Sequence, residues 1–213
     1  FNTLHTTHGR ALAFATGVKL AKPRLHVIAV MGDGDATAIG GNHFIHAARR
    51  NINMTAIIIN NNIYGMTGGQ YSPTTPYGMK TASSVYTHIE HAFRIAELAV
   101  AAGASFVGRG TVYQARQLDA LIETAIRKNG FSVVEAISHC HTYYGKQNKM
   151  GSAVDMLKWQ HDNAVAVEKA ALMTAEELAD KIVVGVLVDK ELPIYEDEYA
   201  RIREWAKQAM GNP

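Results

Sequence analysis

Cysteine is almost missing from this sequence: its 213 residues include one, Cys140. A single cysteine excludes a disulfide framework within the chain and is typical of proteins from a reducing compartment, so a cytoplasmic location is expected. An excess of charge is missing too, since 21 basic residues stand against 19 acidic ones. A net charge of +2 provides no broad surface for neutralising phosphates, and nucleic acid is therefore not expected as a partner.

Long apolar runs are also lacking. Those present, such as residues 27–31 and 182–184, are far shorter than the ~20 residues that a membrane-spanning helix needs. We therefore expect no membrane partner, and no basic-then-apolar leader opens the chain. The sequence starts at Phe1 and its first residues resemble the middle of a domain, so we expect upstream sequence to be absent.

Helical and strand-like patterns alternate through the first two thirds of the chain. The predicted helices cover residues 11–20, 40–50, 89–102 and 115–128, and the predicted buried strands cover residues 25–31, 54–60, 105–107 and 131–137. Repeated strand, crossover and strand units predict an α/β fold with a doubly wound, mostly parallel sheet and helices on both faces. Ligands bind such sheets at the carboxyl ends of the strands.

The expected organisation is one α/β domain with an extension. We assign residues 1–149 to the domain, which is N-terminally incomplete, and residues 150–213 to an extension that packs on the domain or on a partner subunit. The extension carries a capping box at residues 174–177 and a helix over residues 196–207. Within the domain, the long loop at residues 61–81 is rich in glycine, proline, serine and threonine, and loops of that length are usually functional.

Two polar motifs follow neighbouring predicted strands. Gly32-Asp33-Gly34-Asp35 follows the first strand and Asn60-Asn61-Asn62 the second, and Asp33 and Asn61 are 28 residues apart. One crossover of that length returns the chain to the same edge of a parallel sheet. A carboxylate, an amide oxygen and the Ile63 carbonyl form an oxygen-only set suited to Mg²⁺, and glycines allow phosphates to approach the backbone. The pattern predicts a metal-bound diphosphate.

Two other interpretations of these motifs remain open. Each motif by itself is also the ordinary polar end of a strand. Gly32-x-Gly34 after a strand also begins a nicotinamide dinucleotide fingerprint, but Thr37 occupies the third small position. Asparagines stand where that fingerprint needs an acidic ribose-binding residue, so the dinucleotide site is the weaker prediction.

The same residues carry a resemblance to a known family. Residues 32–51 and 60–81 read GDGDATAIGGNHFIHAARRN and NNNIYGMTGGQYSPTTPYGMKT. They contain a thiamine diphosphate motif and are similar to the beta subunit of 2-oxoacid:ferredoxin oxidoreductases, especially the 2-oxoglutarate type. The resemblance is dense over residues 1–149 and looser beyond, and it implies the thiamine diphosphate-binding fold.

The resemblance also implies roles for individual residues. Asp33, Asn61 and the Ile63 carbonyl would hold the Mg²⁺ that bridges the diphosphate. The residues implied to line the cofactor are His8, Gly32, Gly34, Asp35 and Tyr64, and those implied to lie near the reacting carbon, as catalytic residues, are Met66 and Thr67. His8 belongs to a stretch, His5 to Arg10, for which simple helix capping is the alternative. Some relatives have lysine at the position of Gly68, so a substrate contact made by that lysine is not transferred to this chain.

Cys140 follows the last predicted strand between two histidines, an arrangement that also suggests zinc. Adjacent residues of a strand point to opposite faces, however, and the sequence offers no Cys-x-x-Cys partner. The resemblance implies instead that Cys140 is the fourth ligand of a 4Fe-4S cluster whose other three ligands lie upstream of this chain. Either the chain is a fragment or this version has lost the cluster, and the start at Phe1 favours a fragment.

The activity implied by the resemblance is the oxidative decarboxylation of a 2-oxoacid, with 2-oxoglutarate favoured, to acyl-CoA and CO₂. Coenzyme A would accept the acyl group and ferredoxin the electrons. A partner alpha subunit would supply the glutamate that activates thiamine diphosphate, so this chain is expected to be inactive alone. The alternatives are a non-redox thiamine diphosphate decarboxylase or synthase subunit and, in another class, a nicotinamide dehydrogenase or a non-catalytic interaction module.

Overall fold

The computed structural model describes residues 2–211, and within this range the chain forms one six-stranded sheet in the order β1-β2-β4-β3-β6-β5. The strands are β1 (Ile28–Gly32), β2 (Thr55–Asn60), β3 (Phe106–Thr111), β4 (Ser132–Ile137), β5 (Ala164–Ala166) and β6 (Ile182–Asp189). The helices are α1 (Ala11–Ala21), α2 (Gly41–Arg50), α3 (Ile95–Ala101), α4 (Ala115–Arg127), α5 (Ala153–Asn163), α6 (Val167–Ala170), α7 (Ala175–Leu178) and α8 (Tyr195–Met210). The β3–β6 pair is antiparallel and the other described pairs are parallel, which confirms the predicted fold class.

The central strands are covered on both faces. One core joins α1, α2 and α3 to the sheet, and its large side chains include Leu12, Phe44 and Phe131. On the other face, Phe106 and Val134 pack with Ala125 of α4. This double cover explains the continuous apolar run of β2, since a strand buried on both faces has no polar side.

The prediction of a fully buried first strand was wrong. β1 spans Ile28–Gly32, not residues 25–31, and its burial alternates along the strand. Ile28 and Val30 are 42% and 65% exposed, whereas Ala29 and Met31 are buried. β1 lies at the edge of the described sheet beside β2 and packs on α1, so one face stays open. An apolar run does not by itself reveal whether one face or both are covered.

The predicted helix over residues 89–102 begins six residues later, at Ile95. Arg94 before it is extended, and the backbone N–H of Phe93 donates to the Pro73 carbonyl at 2.7 Å. Because this hydrogen bond ties the segment to the loop, the irregular stretch covers residues 61–94, here named the long loop. The loop is therefore longer than the predicted 61–81.

The C-terminal extension contributes to the same sheet. β6 pairs with β3, and β5 pairs with β6, so residues beyond 150 extend the sheet past β3. The capping box at Thr174 is confirmed, with both of its hydrogen bonds formed, and α8 spans Tyr195–Met210 where residues 196–207 were predicted. The domain boundary at residue 149 stays a prediction. Among residues 2–211, no helix combines the length and apolarity required to cross a bilayer.

Candidate functional site

The two polar motifs leave the sheet at one edge. β1 and β2 are parallel neighbours, and their register sets Gly32 opposite Ile59. Asp33 and the three asparagines therefore emerge side by side from the carboxyl ends of adjacent strands. The long loop starts at this point and folds back over it, since the hydroxyl of Thr75 donates to the Asn62 carbonyl at 2.6 Å.

Asp33 is a buried carboxylate. It is 2% exposed, and its Oδ2 accepts hydrogen bonds from the hydroxyls of Ser72 at 2.6 Å and Thr74 at 2.5 Å. Burial raises the pKa of Asp33 above its ordinary value, although these hydroxyls act in the opposite direction. Within residues 2–211 no lysine, arginine or histidine forms an ion pair with it. A buried carboxylate without a basic partner is a natural ligand for a metal cation.

The asparagine motif forms a tight turn. The backbone N–H of Asn62 donates to Asn60 Oδ1 at 3.1 Å, and that of Ile63 donates to Asn61 Oδ1 at 3.3 Å. Asn62 is left-handed, with φ of 61°, a conformation that asparagine tolerates. No hydrogen bond from the described residues reaches the Ile63 carbonyl. Together with Asp33, the Asn61 amide and this carbonyl make a donor set that fits Mg²⁺.

The two glycines of the first motif have different surroundings. Gly32 is exposed, and no atom lies within 4 Å of the position where a Cβ would stand. Beside Gly34 that position is already occupied by the ring of Tyr64, whose hydroxyl donates to the Gly34 carbonyl at 2.9 Å. Burial, followed by the charges of Asp33 and Asp35, raises the pKa of Tyr64. Of the two glycines, Gly32 is thus the one with open space above it.

The segment before α1 meets the same edge. Asp35 Oδ1 accepts a hydrogen bond from the backbone N–H of Gly9 at 2.5 Å, and His8 Nδ1 lies 2.6 Å from the same oxygen. The His8 ring lies edge-on to Tyr64, with centroids 5.8 Å apart. The N-cap of α1 is Arg10, the last residue of this segment, and no side chain among the described residues makes a capping hydrogen bond to the helix. His5 is exposed.

The two residues predicted to lie near the reacting carbon stand on the outside of the turn that follows Tyr64. Met66 is 99% exposed. The Thr67 hydroxyl donates to Gln70 Oε1 at 2.6 Å, and the Gln70 amide donates back to the Thr67 carbonyl at 2.9 Å. The turn is thus held by its own hydrogen bonds, and the catalytic role of Met66 and Thr67 stays a prediction.

Cys140 lies next to the asparagine turn. Its Sγ is 3.4 Å from the ideal Cβ position of Gly65, and Asn61 Nδ2 is 3.9 Å from the same point. The flanking histidine rings are 6.2 Å apart, but no three His, Cys, Asp or Glu side chains in the described part of the chain are grouped to hold a metal ion. A 4Fe-4S cluster is commonly held by four thiolates, and the role of Cys140 as one of them stays a prediction.

Sequence reasoning missed the hydroxyl residues that contact Asp33. Ser72 and Thr74 are both buried, in a loop otherwise rich in exposed residues. Their partners are 39 and 41 positions away, a separation with no periodic signal. The run Ser-Pro-Thr-Thr at residues 72–75 was the only sequence hint, because several hydroxyls in a long loop need hydrogen-bond partners if they are buried.

Comparisons with known proteins agree with the resemblance carried by the two motifs. The family described as the C-terminal TPP-binding domain of thiamine pyrophosphate enzymes matches residues 1–136. The 2-oxoglutarate synthase subunit KorB of Methanocaldococcus jannaschii is 50% identical over 206 residues, which cover 97% of this chain and 76% of that subunit. The 2-oxoacid:ferredoxin oxidoreductase subunit beta of Saccharolobus solfataricus is 36% identical over 222 residues, covering 99% of this chain and 72% of that subunit.

A solved structure extends the agreement to the fold. The 2-oxoglutarate:ferredoxin oxidoreductase of Magnetococcus marinus, with 2-oxoglutarate, coenzyme A and succinyl-CoA bound, superimposes with a TM-score of 0.84 and 32% identity, covering 95% of this chain and 69% of that one. These matches decide against the nicotinamide and non-redox alternatives. This chain belongs to the thiamine diphosphate-binding beta subunits of the 2-oxoacid:ferredoxin oxidoreductases.

Proposed function

We propose that the strand-end edge of this subunit binds thiamine diphosphate through Mg²⁺ held by Asp33, Asn61 and the Ile63 carbonyl. The observation that carries the proposal is the buried Asp33 carboxylate, which has no basic partner among the described residues and lies beside the asparagine turn. Its negative charge would offset part of the positive charge of the metal, and the metal in turn would neutralise the diphosphate. Gly32, exposed and with open space above it, would let the diphosphate approach the backbone.

The remaining site residues surround this position. Asp35, with Gly9 hydrogen-bonded to it and His8 in contact with it, would close one side of the cofactor site. Tyr64 would form another side through its contact with Gly34, and Met66 and Thr67 would stand near the reacting carbon. When bound, thiamine diphosphate supplies a nucleophilic carbon and an electron sink for decarboxylation. The protein's part is to orient the cofactor and exclude water.

A partner alpha subunit completes the proposed enzyme. It would supply the glutamate that activates the cofactor and would cover the long loop, where Met66, Tyr86 and Ile89 are 99%, 92% and 70% exposed. Large apolar side chains exposed near a site are typical of a protein interface. The substrate proposed is 2-oxoglutarate, with coenzyme A as acyl acceptor and ferredoxin as electron acceptor, because relatives of this chain carry 2-oxoglutarate in their names.

Cys140 is proposed to be one ligand of a 4Fe-4S cluster that passes electrons from the cofactor to ferredoxin. It follows β4 at the carboxyl edge of the sheet, next to the asparagine turn. The other ligands would come from sequence upstream of Phe1. Cys140→Ser in the full-length assembled enzyme should lower the iron content and ferredoxin reduction while leaving thiamine diphosphate binding unchanged, and normal cluster spectra in that variant would remove the assignment.

Calorimetry on the assembled enzyme, stripped of cofactor, tests the metal site. Thiamine diphosphate should bind in the presence of Mg²⁺ and at least about 100-fold more weakly to Asp33→Ala, because the only charged ligand is lost. Asp119→Ala is the matched control, since Asp119 is exposed on α4. Equal binding by the Asp33 variant would contradict the site.

Ferredoxin reduction with 2-oxoglutarate and with pyruvate, compared at equal concentration, tests the substrate.

A further inference from the structure

A buried charged network crosses the middle of the sheet. Glu135 of β4 is 2% exposed, and its Oε2 accepts from Arg109 Nε of β3 at 2.8 Å. Arg109 also donates to Glu97 of α3 at 2.6 Å. Burial by itself lowers the pKa of Arg109, but the charges and hydrogen bonds of these two glutamates outweigh it and raise the pKa, so the guanidinium is charged.

A buried ion pair is a costly element in this strand. The neighbours of Glu135 along β4 are Val133, Val134 and Ala136, which is the composition expected of a strand covered on both faces. Removing two charges from water is costly, and apolar residues of similar volume in place of a buried ion pair often leave a protein equally or more stable. Because the pair is costly to bury, the other contacts of its atoms bear on its role.

Glu135 contacts both ends of the long loop. Its Oε1 accepts from the side-chain amide of Asn60, the last residue before the loop, at 2.8 Å. Its Oε2 accepts from the backbone N–H of Ala96, just after the loop, at 3.3 Å. One carboxylate therefore links the start of residues 61–94 to their end.

The contact with Asn60 leads directly to the proposed metal site. The side-chain amide nitrogen of Asn60 donates to Glu135, and its Oδ1 accepts from the backbone N–H of Asn62. Asn62 is the residue in the left-handed conformation. Asn61 thus stands between two residues that the network fixes. Resting on the proposed function of this edge, we propose that Glu135, held by Arg109, is a positioning residue that sets the asparagine turn and so the metal affinity of the subunit.

Mn²⁺ in place of Mg²⁺ provides a readout that does not depend on activity. In the assembled enzyme, Mn²⁺ bound together with thiamine diphosphate is titrated by electron paramagnetic resonance. The test variant carries Arg109→Met and Glu135→Leu, which keep the core apolar and filled. The control carries Arg127→Met and Glu123→Leu, the same replacements in an exposed ion pair of α4.

The test variant should bind Mn²⁺ about 10-fold or more weakly, since outer residues that orient metal ligands typically contribute roughly 10–100-fold in affinity. Its melting temperature should also fall, because the Asn60 amide and the Ala96 N–H lose their buried acceptor. The control should match wild type in both. Equal Mn²⁺ affinity in the two double variants would overturn the inference. If the test variant does not fold, Asn60→Leu decides the question, because it removes the hydrogen bond to Glu135 and leaves the ion pair with Arg109 intact. The same loss of Mn²⁺ affinity is expected. An unchanged Mn²⁺ affinity in Asn60→Leu would contradict the inference. Failure of the wild-type enzyme to bind Mn²⁺ with thiamine diphosphate would instead remove the proposed function, and this inference with it.

Discussion

Asp33 is a carboxyl group in a buried position, where ionisation is costly. Burial raises its pKa, and the hydroxyls of Ser72 and Thr74 compensate only partly for lost water. Because its pKa in the folded state exceeds that of the unfolded chain, ionisation of Asp33 opposes folding. The metal-free protein therefore loses stability as pH rises from the ordinary carboxyl range through the raised pKa. A bound cation would offset that loss.

Asp33→Asn separates these effects. We expect the metal-free assembled variant to melt slightly above wild type at neutral pH and to lose the difference at acidic pH, where wild-type Asp33 is protonated. It should also lose the stabilisation by Mg²⁺ and thiamine diphosphate, which amounts to about 3–4 kcal/mol for a ligand at 100 to 1,000 times its Kd. Melting curves from pH 4 to 8, with and without both ligands and with Asp119→Asn as control, measure this. A ligand-induced shift retained in Asp33→Asn would count against the metal role.

Alanine substitutions at Gly32 and Gly34 provide a second test of the site. The added methyl group should affect cofactor binding at one position and stability at the other. Gly34→Ala drives a Cβ into the Tyr64 ring and should lower stability by about 1–3 kcal/mol. Gly32→Ala meets no neighbouring atom, so stability should hold, but the methyl group would occupy the space proposed for the diphosphate. Melting temperature without cofactor, combined with thiamine diphosphate affinity, distinguishes the two. A Gly32 variant with normal affinity would show that the diphosphate lies elsewhere.

The long loop covers the two strand-end motifs and so encloses the proposed site. Its residues close over Asp33 and the asparagine turn, and Glu135 holds its two ends. The two motifs could be predicted from sequence because each directly follows a strand, where local pattern and sheet geometry are sufficient. The partners of Asp33 and Asn60 could not, since hydrogen bonds across 39 and 75 positions depend on the folded path of the loop.

Thr74→Val tests whether the loop contributes to cofactor binding. Valine keeps the shape but cannot donate to Asp33, so the orientation of the carboxylate should loosen and Mg²⁺ affinity fall about 10-fold or more. Thr87→Val is the control, in the same loop but exposed. Mg²⁺ titration in the presence of thiamine diphosphate measures both, and equal affinities would mean that the loop hydroxyls serve only the fold.

The molecule as a whole was predicted as an α/β domain with an extension, and the fold class was correct. The two strands of the extension were missed. β5 has three residues, too few to show alternation, and β6 is interrupted by Gly185 with φ of 121°. A bulge at Val107 and Gly108 also shifts the register of β6 against β3, and such irregularities have no signature in a hydrophobic pattern.

Stopping the chain after residue 149 tests how far the domain depends on its extension. The truncation removes β6, uncovers β3 along its length and deletes the Val183 carbonyl, which accepts from Arg109 at 3.5 Å. The melting temperature of the assembled enzyme should fall by about 10 °C or more, the shift that roughly 3–5 kcal/mol produces in a chain of this size. Stopping after Asp189 keeps β6 and should lower the melting temperature less. Equal melting of the full and shorter chains would establish residues 1–149 as an independent domain.

The antiparallel direction of β6 has a practical consequence. The strand carries the chain away from the cofactor edge, and the following residues bind at the other end of β2, where the Glu196 carboxylate accepts from the backbone N–H of Asn53 and the Asn51 amide donates to the Leu192 and Pro193 carbonyls. Helix α8 thus begins at the edge opposite the proposed cofactor site. A surface tether or fluorophore attached to its exposed face would leave the proposed cofactor edge unobstructed, which makes α8 the place to immobilise this subunit for single-molecule measurements of cofactor exchange.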